Sequence, residues 1–547
     1  MRLALASAVT LGLLFTLLFA VLGGLAVFFA AFNFYVVVIG VVLVNFVVWL
    51  VSPKISDFIY SYFYDMRWVS LEDLKEVSPQ SARLIEVVTG DYDYSLPKLG
   101  IIEDSNPQAF TYGSGRWNSR IIVTEGIFQY LDENETAAVY GHELGHITNR
   151  DFIIMTVANT IVQLLYLVGT RLLRSMRGNS RGGKGKGLIV GIAVVSYVFY
   201  IIGKYLVYYL SRVREYYADK FSARYMDPNY LSSALLKISY GILDSPDNED
   251  LVNATESMGI MDFKEAQKDG QVYYGSSNLQ NWDYLSKAFL FDIKNPWAFL
   301  MELKSTHPLT GKRIRALSRW TDEPMFDFEV LERRFDVDKG RLYRQFFKDL
   351  AVVTVPKLLL ILMPVVFVLG LYRGWPWVPN LNLFLGLWLG IAGFGGIIKT
   401  LYRYPPEDKA ENTSVLELLS DIYASPVRGS KGRLRGRIIG RGRAGFKLGK
   451  DLKLQDETGL MYLRYKSIIP FFGDLWFGWR RAKKLIDEDA EIEGWFLRGT
   501  SPWTGLKKIW TRSEEISSWM RIHGIVIGLI LLFLAVVSVL FLPVGLI

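Results

Sequence analysis

The sequence predicts a mainly α-helical, multi-pass integral membrane protein, with a small α+β unit between its spans and a small β-domain near its C-terminus. Three observations predict it. Apolar runs of membrane-crossing length alternate with charged stretches, so that 51% of 547 residues are hydrophobic while 21% are charged. His142 and His146 precede one pair of these runs and Glu215 follows it. A glycine-broken segment, 428–453, alternates residue by residue as strands do and holds ten basic residues against one acid.

Runs 3–31 and 34–51 are separated only by Phe32 and Asn33. Each can cross a hydrocarbon core of about 30 Å, which predicts a transmembrane hairpin over 1–51. A signal peptide would be shorter and would end in a polar cleavage region, which is missing here. Runs 152–173 and 188–210 predict a second hairpin, joined by a glycine-rich basic loop at 174–187. Runs 355–371 and 381–398 predict a third, with Trp375 and Trp377 at interface level. Run 525–542 predicts a C-terminal anchor within 523–547.

Between the spans, Ser70 opens a helix with acidic residues in its first turn. Segments 98–103, 108–113 and 119–124 are expected strands. Asp132 or Asn134 is the expected cap of the helix that carries the histidines, and that helix is expected to run on into 152–173.

Seven spans and the preference of basic loops for the inside place 52–151, 211–354 and 399–522 on the cytoplasmic side of the cell membrane. The last of these holds 24 Lys+Arg against 16 Asp+Glu. Loop 174–187 opposes the rule, since it falls outside. Full crossing of hairpin 152–210 is preferred, with the charge of the flanking domains outweighing the loop. Cysteine is absent, which excludes disulfides and thiolate-bound zinc, so a metal site must use His, Asp and Glu. The net charge of +8 suits anionic partners, lipid headgroups first.

His142-Glu143-Leu144-Gly145-His146 is the chemical centre of the chain. Histidines four apart lie about 40° apart around a helix, so both imidazoles can share one metal ion. H-E-x-x-H on a helix is a zinc-protease signature in which the glutamate, here Glu143, is the general base. The chain has four histidines in all, and chance would place two of them so on the order of once in hundreds of sequences. A zinc of this kind takes three protein ligands and keeps a position open. Glu215 and Asp219 share a helix face at i and i+4. Glu215 can bind the metal while Asp219 accepts a hydrogen bond from the far nitrogen of a ligating histidine. A solvated charge pair is the bland alternative. His146 lies six residues before 152 and Glu215 five after 210. An antiparallel hairpin then sets both about 8–9 Å beyond one membrane face, at about 1.5 Å per residue.

His142 to Asp151, Glu215-Tyr216-Tyr217-Ala218-Asp219 and Ser305-Thr306-His307-Pro308 resemble the HtpX family of membrane-bound zinc metalloproteases over residues 50–320. The resemblance implies a zincin-like α+β metalloprotease domain, 52–354, that includes the membrane hairpin. It implies a gluzincin endopeptidase with one Zn2+ per chain, His142, His146 and Glu215 as ligands and quality control as the role. CAAX prenyl proteases are the more distant comparison. His307 is implied to lie near the zinc, steadying the oxyanion or lining the cleft, against the plainer reading of a structural loop histidine. Arg313 is a candidate partner for a carboxylate of the site. Gln108-Ala109-Phe110 stands where the family usually has Asn-Ala-Phe. This is implied to be an edge strand beside the zinc that pairs with an extended peptide. The glutamine leaves main-chain pairing intact and puts the asparagine side chain's role in doubt.

The expected substrates are membrane-protein loops and unfolded polypeptides. A CAAX-type prenyl-protein protease is the alternative enzyme. A metal-dead membrane scaffold is the alternative outside enzymes, and the intact motif argues against it. The basic β-domain, 428–500, has three readings: anionic lipid is favoured, a substrate or partner dock follows, and nucleic acid is last. An oligomer is left open.

Overall fold

A computed structural model describes residues 10–18, 20–21, 34–175, 186–244, 259–376, 380–406, 410–442 and 448–541. Most of run 3–31, most of loop 174–187 and Trp377 lie outside the described residues. The fold is mostly helical and divides into two compact units, Met1–Gly270 with Leu300–Leu331 and Gln271–Phe299 with Glu332–Ile547. Among the described residues six helices are long and apolar enough to cross a membrane, and they fall on the last six of the seven expected runs.

In the first unit, helix α1 (Phe34–Phe63) outlasts its apolar run. Its last turns dock on a sheet: Asp57 takes Arg120 at 2.8 Å and Tyr112 Oη at 2.8 Å, and Tyr60 packs on Phe110. That sheet holds β1 (Met66–Val69), β2 (Lys98–Ile102), β3 (Ala109–Gly113) and β4 (Ser119–Thr124) in the order β1-β2-β4-β3. The β2–β4 pair is parallel, and β1–β2 and β3–β4 are antiparallel. All six residues of β4 are buried, as a central strand requires. Strands β2 to β4 match the expected segments; β1 was not foreseen. Ser70 caps the following helix in a reciprocal box with Asp73.

Helix α2 (Glu133–Thr148) carries the motif and is capped by Asp132 in a box with Glu135. It does not run on. Asn149 ends it, Arg150 takes φ +59°, and α3 (Asp151–Ser175) starts afresh. The break has a physical consequence. In one continuous helix residues five apart lie about 140° apart around the axis, and Asp151 would face away from His146. Helices α3 and α4 (Lys186–Tyr225) form the expected hairpin. Leu14, Leu18 and Val21 of the first run join Leu165, Val207 and Leu210 in one apolar cluster. Helix α5 (Thr310–Leu317) follows the His307 loop.

The second unit holds the membrane helices α6 (Lys339–Arg373), α7 (Leu381–Arg403) and α8 (Met520–Phe541). Helices α7 and α8 approach closely: a Cβ on Gly393 would stand 2.7 Å from the Gly528 carbonyl oxygen. Between α7 and α8 lies a β-domain of β5 (Glu411–Asn412), β6 (Ser430–Arg441), β7 (Leu452–Asp456), β8 (Gly459–Arg464), β9 (Asp489–Leu497), β10 (Trp503–Thr511) and β11 (Glu515–Ser517). The ring β6-β7-β8-β10-β9 closes on itself because β9 pairs with both β10 and β6. The β8–β10 pair is parallel, and a short helical stretch, Phe472–Leu485, sits between β8 and β9. This is the connectivity of the five-stranded OB barrel. Leu434, Ile438, Leu454, Met461, Leu463, Ile492 and Leu506 fill it. Strand β6 pairs its basic side chains with acids of β9: Arg433 and Arg435 with Glu491, and Lys431 with Glu493.

Candidate metal centre

The centre is built where α2 and α4 cross. Gly141 and Gly145 lie on the α2 face towards α4. A Cβ on Gly145 would stand 2.9 Å from Ala218 Cα, so only glycine lets the two backbones come this near. Ser222 of α4 donates to the Ala138 carbonyl at 2.6 Å and fixes the register. The helices then bring His142, His146 and Glu215 together, with His142 and Glu215 buried and His146 13% exposed in its side chain.

The spacing of their inner atoms is informative. His142 Nε2 and His146 Nε2 are 3.2 Å apart. Glu215 Oε2 is 3.4 Å from the first and Oε1 is 3.5 Å from the second. Ligands of a tetrahedral ion with bonds of about 2.0–2.1 Å stand about 3.3–3.4 Å apart.

Each histidine is held from behind. His142 Nδ1 lies 2.9 Å from Asp219 Oδ1, a close contact bent from the ideal hydrogen-bond line. His146 Nδ1 lies 2.7 Å from Asp151 Oδ2. A carboxylate at Nδ1 keeps the proton there and leaves Nε2 as a lone pair. Two imidazole nitrogens and a carboxylate therefore converge, a set that suits a cation. Asp219 is braced by Arg313 through Nε at 2.9 Å and Nη2 at 2.6 Å, and Asp151 is braced by Arg214 Nε at 2.9 Å. Arg313 Nη1 also donates to the Ile260 carbonyl.

Glu143 is buried in the same place. Its Oε2, like Glu215 Oε2, has no hydrogen-bond partner among the described residues. Burial lifts the Glu143 carboxyl above its usual range, against the pull of His142 and His146. Burial also acts to lower His142, but Asp219 and Glu215 overcome it and raise the imidazole to about 9, so that at neutral pH a cation at this site takes the place of a proton on Nε2. His307 is buried, with Nε2 3.8 Å from Glu215 Oε1 and Nδ1 3.1 Å from Thr306 Oγ1. Burial pulls it below the usual histidine range.

Strand β3 is an edge strand beside α2. The Gln108 backbone is engaged with Thr124 on both sides, at 2.8 Å through N–H and 2.9 Å through C=O, and Ala109 pairs with Val123. At Phe110 the outer edge is covered by an antiparallel bridge to Gly259.

The geometry thus brings His142, Glu143, His146, Glu215, Asp219 and His307 into one site, with the carboxylate pairing expected for Arg313. Asp151 and Arg214 had no role in the sequence reading. The signal for Asp151 was its place three residues beyond the last helical residue, where a helix break turns the chain back.

The family model of peptidase family M48 matches residues 76–321. The chain is 32% identical over 246 residues to a "Protease HtpX homolog" of Methanothermobacter thermautotrophicus, covering 44% of this chain and 84% of the relative. It is 28% identical over 282 residues to one from Pyrobaculum calidifontis, covering 51% and 75%. It is 29% identical over 278 residues to one from Aeropyrum pernix, covering 50% and 81%. No solved structure matches the chain.

Proposed function

The chain belongs to the HtpX group of peptidase family M48 and is a membrane metalloprotease, and we propose that it is a zinc endopeptidase acting on membrane-protein and unfolded polypeptides, with Glu143 as general base. The observation that carries this reading is the convergence of His142, His146 and Glu215, whose inner nitrogens and oxygens stand 3.2–3.5 Å apart, with a carboxylate behind each imidazole.

His142, His146 and Glu215 would hold the zinc. When bound, zinc supplies a Lewis acid that polarises the scissile carbonyl and lowers the pKa of a water from 15.7 to about 7. Asp219 and Asp151 orient the imidazoles. Glu143, with its carboxyl raised by burial, accepts the proton of the attacking water and delivers it to the leaving amine. A Thr306 hydroxyl donating to Nδ1 leaves His307 with its proton on Nε2. That N–H, on the side of Glu215, is a donor for the developing oxyanion. Strand β3 from Ala109 offers main-chain groups to an extended peptide, with Gly259 as the competitor at Phe110.

A site at the end of the α3–α4 hairpin suits exposed loops of misfolded membrane proteins. Cytoplasmic placement of both soluble parts and attraction of the basic region to anionic headgroups belong to the same proposal. The test is zinc content and casein hydrolysis of the purified chain beside Glu143→Gln. One zinc in both and hydrolysis by the unaltered chain alone is expected. Hydrolysis by Glu143→Gln at the full rate would remove Glu143 as base, and absence of zinc from both after metal loading would remove the metal site.

A further inference from the structure

The second unit exposes apolar side chains in two ways. Helices α6 to α8 do so along their length, as membrane helices do. The turn after β8 does so outside any span. Ile468, Ile469, Phe471 and Phe472 are 59–75% exposed, and Trp476 and Trp479 are 54% and 57% exposed. A surface facing only water seldom keeps so large an apolar patch.

This turn is built. Asp474 accepts from Ser467 N–H at 2.9 Å, Lys466 Nζ at 2.7 Å and Lys450 Nζ at 2.8 Å, so its polar groups are gathered inward. At the tip Phe472 N–H donates to the Pro470 carbonyl at 2.8 Å. Phe471 between them takes φ +64° and ψ −70°, a γ-turn of the rare and strained hand. Strain of this kind persists where the surroundings impose it, and it clusters at functional sites. Here it turns two phenyl rings outward.

The turn starts level with the first turn of α8. Trp519 N–H donates to the Lys466 carbonyl at 2.8 Å, Lys466 N–H donates to Ser518 Oγ at 3.1 Å, and His523 Nε2 bonds the Ser467 carbonyl. Helix α8 has the highest mean hydropathy of the six candidate spans, 2.8. On the other flank, Arg480 lies 5.2 and 4.8 Å from the ring centroids of Trp476 and Trp479, and Arg481, Lys483 and Lys484 follow. Apolar tip, tryptophan pair and basic rim, in that order, fit a bilayer interface.

We propose that residues 468–479 form a wedge seated in the leaflet that α8 enters, with the basic residues of 480–484 on anionic headgroups. The barrel is thereby held flat on the membrane at a point additional to its helices. The inference deepens the lipid reading given above and rests on α8 spanning the bilayer, not on proteolysis.

The chain has no cysteine, so single cysteines can be introduced without further changes. Full-length Phe472→Cys, Ile469→Cys and Arg512→Cys would each carry a nitroxide in nanodiscs of neutral or partly anionic phospholipid, with circular dichroism as the check of fold. Arg512 lies on the barrel with its side chain 87% exposed. At 469 and 472 the expected result is frequent collision with oxygen and loss of collision with a water-soluble nickel chelate, at a depth of about 5–10 Å. At 512 the nickel chelate should collide freely. Free access of nickel to both 469 and 472 would overturn the wedge. Protection from both collision partners would overturn it equally, since that means cover by protein. Anionic lipid should deepen the label at 472, and Lys483→Glu with Lys484→Glu should abolish that gain. Equal depth in both lipids, with or without the charge reversal, would overturn the role given to the basic rim. No arm uses a substrate, so a failed wedge and a failed protease are told apart.

Discussion

Arg313 holds Asp219 in a two-pronged grip, Nε at 2.9 Å from Oδ2 and Nη2 at 2.6 Å from Oδ1, and Asp219 Oδ1 is in turn 2.9 Å from His142 Nδ1. All three residues are buried. A guanidinium 1% exposed in its side chain, opposite a carboxylate 2% exposed, is a pair that cannot lose one member cheaply. Arg313→Met should therefore destabilise the unit by about 3–5 kcal/mol, leaving an unpaired buried charge. Arg313→Lys keeps the charge but not the planar fork, and should weaken metal binding by about 10–100-fold with a smaller loss of stability. Chelator competition and thermal melting measure the two effects. Unchanged zinc affinity in Arg313→Lys would show that Asp219 is positioned without the fork.

Asp151 performs the matching task for His146 from the start of another helix. It sits 2.7 Å from Nδ1 and 2.9 Å from Arg214 Nε. Asn in its place can turn an amide N–H towards Nδ1, which moves the imidazole proton to Nε2 and removes the metal's lone pair. Asp151→Asn should lower zinc affinity by about 10–100-fold while the helix pair stays assembled. Full affinity in this variant would mean that His146 is oriented by packing alone.

Gly145 tests whether the closeness of α2 and α4 matters. An added Cβ would meet Ala218 Cα at 2.9 Å, Phe221 Cβ at 3.0 Å and the Ala218 carbonyl at 3.2 Å, and the backbone atoms cannot yield. Gly145→Ala should cost about 1–3 kcal/mol and shift Glu215 off the two histidines, so that stability and zinc affinity fall together. Gly141→Ala meets Ser222 Oγ at 3.0 Å and the Ser222 backbone only at 3.3 Å, a looser fit than at Gly145, and should be milder, at the cost of straining the bond from Ser222 to the Ala138 carbonyl. If the two alanines behaved alike, helix approach at Gly145 would not be what sets the ligand geometry.

Local features were legible in advance. The i, i+4 spacing of His142 and His146 is a property of one helix, and the apolar runs declare seven helices by length alone, six of them met among the described residues. Glu215 and Asp219 were legible as a pair on one face from their i, i+4 spacing, and Glu215 as level with His146 because the hairpin between the motifs returns the chain to its starting level whatever its loop. Features that depend on distant pairing were not. The break at Arg150 falls among poor helix formers, Thr148, Asn149 and Asp151, but the apolar run that starts at once at Phe152 reads as a continuation of the helix and hides the task of Asp151. The alternation in 430–441 declares a strand, but closure of the barrel needs β10 beside β8 in parallel, which no local pattern encodes. Gly259 reaches Phe110 by a single bridge. Ile468 to Phe472 carries no local mark of exposure in the sequence, and only the fold turns it outward.

The barrel carries its own acid limit. Asp474 is gripped by Lys450, Lys466 and Ser467 N–H, and Glu493 by Lys507 and Lys431. Burial acts to raise both carboxyls, yet these partners bring Asp474 well below its ordinary 3.8 and Glu493 below its ordinary 4.5. A carboxyl whose folded pKa is depressed stabilises the fold above its unfolded value, and that share is lost as pH falls through the folded value. The melting temperature of the β-domain should hold on acidification to about pH 4.5 and then fall steadily. Asp474→Asn should already be less stable at neutral pH, by an amount that solvent screening keeps modest. It should also lose part of the dependence below pH 4. Near-ultraviolet circular dichroism of the full chain follows this, because Trp495, Trp503 and Trp510 lie in the barrel strands. A variant as stable as the parent at pH 7 and equally acid-sensitive would show that the grip on Asp474 adds nothing, and the turn it organises would then need another explanation for its shape.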